Sequence, residues 1–99
     1  MISEEEFLMR VKGMPRTIYS KTRKVTYSKF RIEDEILYFL REVPATDWAL
    51  NLKELYCVYK ENDFINTSVI KKQTRGRVNS PSVAILIAIR CIDERGNRI

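Results

Sequence analysis

The side chains able to do chemistry are basic, and they are unevenly placed. Residues 10–31 hold Arg10, Lys12, Arg16, Lys21, Arg23, Lys24, Lys29 and Arg31 with no Asp or Glu among them. Residues 64–92 hold Lys71, Lys72, Arg75, Arg77 and Arg90, again without an acid. The two windows take thirteen of the eighteen Lys and Arg residues, while all thirteen acids gather at 4–6, 33–35, 42–63 and 93–94. Charge segregated in this way produces local positive potential that the net charge of +5 understates. Lys offers phosphate a point charge and Arg a bidentate fork, so Lys71, Lys72, Arg75 and Arg77 fit a phosphate-tracking loop, with a solvated loop as the plain alternative. In the first window Tyr19 and Tyr27 interleave with Lys21, Arg23, Lys24, Lys29 and Arg31. Single-strand-binding β surfaces carry that pattern when bases stack on rings. The competing reading places Tyr19, Tyr27 and Phe30 in core or cross-strand packing.

Other chemistries lack their residues. The chain contains no histidine, which removes the commonest general base, the usual metal ligand and the Ser-His and Cys-His nucleophile pairs. Cys57 and Cys91 have no neighbours at zinc-site spacing, so neither metal nor disulfide is expected, and two small core residues fit better. Three scattered glycines cannot form a phosphate-cradling loop, and no nucleotide cofactor is expected. Glu33, Asp34 and Glu35 read as a turn, Asp47 and Glu54 as helix caps; a carboxylate cluster becomes catalytic only in a pocket that perturbs it. No catalytic residue is assigned.

These residues must be positioned by elements that the pattern identifies. Ser3 and Glu6 form a capping box with Ile2 and Phe7 at staple positions, which predicts a helix over 4–12 closed by Gly13 and Pro15. From 16 to 41 the chain is rich in Thr, Tyr, Ile, Val and Phe, residues that suit a pleated surface. A break near 22–24, a phase change near Ser28-Lys29 and a turn at 33–35 before a return strand over 36–40 predict an antiparallel meander of two or three strands. Pro44 and Asp47 mark a connection. Asn51 and Glu54 then start a helix whose apolar residues Leu52, Leu55, Tyr56 and Tyr59 recur at helical spacing to about residue 61. Asn66 or Thr67 caps a short segment ending at Gly76. Ser80-Pro81 opens a last helix reaching about Cys91.

The chain of 99 residues therefore reads as one α+β domain: a short N-terminal helix, a β-meander, then two to three helices packed on one face of the sheet, with Trp48, Leu52, Leu55, Tyr56, Leu86 and Ile89 in the core. The last helix carries seven consecutive apolar residues, 83–89, about a third of a membrane span and too apolar for a DNA-reading helix. It belongs in the core or in a subunit interface. The acidic start of the chain lacks the basic region of a secretory signal, so a cytoplasmic protein without a membrane partner is expected. The leading functional expectation is a non-enzymatic binder of nucleic acid or another polyanion, whose two basic windows merge into one positive surface. A homodimeric interaction module without such a ligand is the alternative. A small His-free basic ribonuclease or toxin-like protein is the third.

Overall fold

The computed structural model of the chain describes residues 1–76 and 78–99. Helix α1 (Glu4–Lys12) begins where Ser3 Oγ accepts the Glu6 N–H at 3.1 Å, and it buries Phe7 and Val11. Its entry is pinned by α2 (Leu52–Glu61): the Ile2 N–H donates to the Tyr59 hydroxyl and the Tyr56 hydroxyl donates to the Ile2 carbonyl, each at 3.0 Å. Strands β1 (Thr17–Tyr19), β2 (Thr26–Glu33), β3 (Ile36–Arg41) and β4 (Thr46–Asn51) form an antiparallel meander in that spatial order. The chain breaks between β1 and β2 in a turn where Ser20 Oγ accepts the Val25 N–H at 3.2 Å. The phase change is a bulge: the β2–β3 register shifts between Ser28 and Arg31, so Lys29 and Phe30 oppose Phe39 alone.

The sheet has four strands where the sequence signals two or three. The stretch read as a connection with Asp47 as a cap is strand β4, in which Trp48 and Leu50 pair with Phe39 and Leu37. Asn51 ends this strand and also caps α2, its Oδ1 accepting the Glu54 N–H at 3.0 Å, so the cap signal obscured the strand before it. Helix α3 (Thr67–Gln73) is capped by Asn66 and stops short of Gly76, because the Thr74 N–H and hydroxyl both return to the Ile70 carbonyl. Helix α4 (Asn79–Ala88) starts before Ser80, and Pro81 sits inside its first turn, where no N–H has an intrahelical partner to lose. It stops before Cys91 because Arg90 turns left-handed at φ 60. The Cys91 N–H then reaches the Leu86 carbonyl at 2.9 Å and the Arg90 N–H the Ile87 carbonyl at 3.0 Å, the bonding of a Schellman cap.

The helices cover one face of the sheet. Ile18, Tyr27, Leu37, Phe39 and Leu50 point into that layer and are buried, whereas Thr17, Tyr19, Arg31 and Ala49 on the other face are exposed. Helix α4 lies against β1 and α3, and α2 against β4. Leu52, Leu55, Leu86 and Ile89 are buried as expected; Trp48 and Tyr56 are only half-buried at the margin. The apolar α4 is enclosed by its own chain, with Val83, Ala84, Ile85 and Leu86 all buried. Among the described residues no helix is long and apolar enough to cross a membrane.

Cys57 and Cys91 are unpaired, and burial pushes the Cys91 thiol up to about 11 despite Arg10 nearby, which lowers it. The native protein should therefore keep Cys91 unalkylated by iodoacetamide until it unfolds, with a urea midpoint at neutral pH indifferent to reductant and chelator. Because the folded state retains a proton that the unfolded chain loses above 9.0, this group's contribution to stability falls as pH climbs from 9.0 towards about 11. A neutral-pH midpoint that moves with chelator or reductant contradicts this account.

Candidate nucleic-acid interface

The segment joining α1 to β1, residues 14–17, is where the first basic window becomes a surface. Gly13 ends α1 and Pro15 prevents its resumption, so the chain turns sharply along the edge of the sheet. Three depressions meet there, and Pro15 lines all of them. The first, about 660 Å³, lies between the end of α1 and the edge of β2; its floor is Val11, Met14, Phe30, Ile32 and Leu37, and its rim is Lys12, Arg16, Lys29 and Arg31. The second, about 510 Å³, runs between β1 and the end of α4 and carries Tyr19, Lys21, Arg23 and Glu94. The third, about 400 Å³, is bounded by Arg10 and Arg90. Eight cationic residues thus line a groove of three depressions that share Pro15, with a single carboxylate, Glu94, in its lining.

Most of these cations have no acidic partner. Arg10 is committed to structure: it pairs with Glu6 at 3.3 Å and donates to the carbonyls of Ile89 and Arg90 at 3.2 and 3.4 Å, closing the end of α4. Arg31 stands 4.5 Å above the Tyr38 ring and 3.8 Å from Glu33, an exposed pair of little energetic weight. Among the described residues no ion pair holds Lys12, Arg16, Lys21, Arg23, Lys29 or Arg90. Nor does any group of three His, Cys, Asp or Glu there come close enough to hold a metal ion.

Backbone geometry singles out three of the cations. Arg23, Lys29 and Arg90 have φ of 61, 56 and 60. That left-handed region costs a residue with a Cβ roughly 1–2 kcal/mol and favours glycine. Lys29 occupies it at the bulge, a device that re-aims a side chain, here onto the groove rim. Lys29→Gly is expected to stabilise the fold by about 0.5–1 kcal/mol in urea unfolding, the relief of strain less the extra freedom glycine gives the unfolded chain. A less stable variant would contradict this reading of the bulge.

The structure gathers Lys21, Arg23, Lys29 and Arg31 along this groove, with Lys24 exposed in the same β1–β2 turn. Tyr19 is 53% exposed and lines the second depression. Tyr27 is 2% exposed, its ring edge-on to Phe39 at 5.8 Å, so it serves packing and offers no face for stacking. Lys71, Lys72 and Arg75 are exposed but belong elsewhere. Lys71 and Lys72 are on α3, and the loop after it closes near β4, where the Arg75 N–H donates to Glu54 Oε1 at 3.4 Å and where Thr74 and Gly76 share a depression with Ala49 and Asn51. Strands β1 and β4 are opposite edges of the sheet, roughly 14 Å apart by strand spacing. Arg77 lies outside the described residues. The groove is built from the first window together with Arg90 of the second, and Lys71, Lys72 and Arg75 are not among its lining residues. Lys12 and Arg16 belong to the charge window but had no ligand role assigned from sequence; their signal is their position on either side of the Gly13 to Pro15 helix stop. No family model, curated protein or solved structure matches the chain, and the interface rests on this geometry.

Proposed function

We propose that this chain is a non-enzymatic binder of nucleic acid that holds phosphates along the groove around residues 14–17. The observation that carries the reading is the groove's six cations that stand outside the ion pairs of the described residues, with Glu94 as the one carboxylate lining it. Unpaired Lys and Arg side chains on a concave surface raise the local concentration of a polyanion, and its phosphates release condensed counterions on binding. Tyr19 supplies an exposed ring beside the charges. The self-association reading drew on an apolar helix in need of cover, and α4 is covered by its own chain.

Backbone amide chemical shifts followed during titration with an oligonucleotide test the proposal. The largest perturbations are expected in residues 12–24 and 29–31. Perturbations confined to β4, α2 and α3, or none at low salt, would refute it.

A further inference from the structure

We infer that the depression between α1 and β2 receives an unpaired base, so that the protein prefers single strands to duplexes. This rests on the nucleic-acid reading and adds a substrate class to it. Strand β1 pairs with β2 only through Thr17, Ile18 and Tyr19, opposite Ser28, Tyr27 and Thr26. Among the described residues no strand pairs with β2 on that side past Ser28, and the depression opens along this edge. Backbone groups alternate between the two sides of a strand. The Leu52 N–H donates to the Glu35 carbonyl at 2.9 Å, so Glu35 and Leu37 direct their backbone groups towards β4, and Ile36 and Tyr38 direct theirs towards β2. Glu33 and Arg31, their partners in the register, answer them. Ile32 therefore turns its N–H and C=O to the open edge, a donor and acceptor pair beside the depression.

The floor beneath suits a ring. Phe30 is half-buried and lines the cavity, backed by Phe39 with ring centroids 5.6 Å apart and planes 28° from parallel. Val11 from α1 and Leu37 from β3 also line it, so the depression offers apolar surface beside the backbone edge against which a planar base can lie. Its volume of about 660 Å³ lies within the range of about 300–1,000 Å³ common for small-ligand sites. Lys12, Arg16 and Lys29 on the rim are placed for the flanking phosphates. A duplex offers the rim its phosphates but must unstack a base to fill the floor, whereas a single strand has bases to spare.

Fluorescence anisotropy with labelled oligo(dT), the oligo(dA)·oligo(dT) duplex of equal length and an oligoglutamate peptide of equal charge tests this. The single strand is expected to bind about tenfold or more tightly than the duplex. Phe30→Leu should weaken single-strand binding about fivefold or more while leaving duplex binding and the circular dichroism spectrum unchanged, and Phe30→Tyr should retain wild-type affinity. Equal or tighter duplex binding, or equal losses on both nucleic acids with Phe30→Leu, overturns base insertion but leaves nucleic-acid binding standing. Binding of the peptide alone overturns both and assigns the β2 edge to an acidic extended segment.

Discussion

Replacing Leu86 by Ala is expected to destabilise the protein by about 2–5 kcal/mol, enough to unfold much of a marginally stable domain of this size. Leu86 is 0% exposed in the last turn of α4, between Ile85 at 0% and the chain's return at Cys91 and Ile92, each at 1%. Its carbonyl also accepts the Cys91 N–H at 2.9 Å, so the helix end and the core share this residue. The truncation removes transfer free energy and leaves a cavity that neighbours on α3 and β1 can fill only in part. Urea denaturation should show a lower midpoint with an unchanged slope, and solution mass should stay the same. A variant with wild-type stability and altered mass would instead place α4 in a subunit interface.

Charge reversal at Lys12, Arg16 and Lys29 together should reduce affinity for oligo(dT) about a thousandfold, or roughly tenfold per site, because each substitution removes an attraction and adds a repulsion within one rim. All three side chains are exposed and outside the ion pairs of the described residues, so the fold should survive, as circular dichroism would verify. Reversal at Lys71 and Lys72 serves as the comparison. Those residues sit on α3, which packs on α4 and α2, and line none of the groove's depressions, so they should act only through the screened field, with a loss of less than about tenfold. Equal losses from the two sets would remove the groove's special role.

Local signals carried most of the fold. The Ser3 and Asn51 caps, the phase change at Ser28-Lys29 and the helical spacing of Leu52, Leu55 and Tyr59 each act within a few residues, so they survive translation into structure. Strand β4 was hidden because its last residue doubles as a helix cap. The end of α4 was hidden because an arginine, not a glycine, takes the left-handed position. The site was less legible. Charge segregation located the first window, but only pairing shows that β1 stops at three residues and leaves an edge bare. That Lys71, Lys72 and Arg75 do not line the groove is a matter of tertiary packing, which no charge count contains. Tyr27 and Tyr19 sit eight positions apart with the same chemistry, and only the sheet decides which is inside.

The salt dependence of oligo(dT) affinity in the wild-type protein tests the central claim most directly. Single strands contribute a log-log slope of about −0.7 for each phosphate neutralised. Engagement of three to six of the groove's unpaired cations therefore predicts a slope between about −2 and −4. A slope near zero, or no binding at low salt, would contradict a groove that holds its ligand by phosphate.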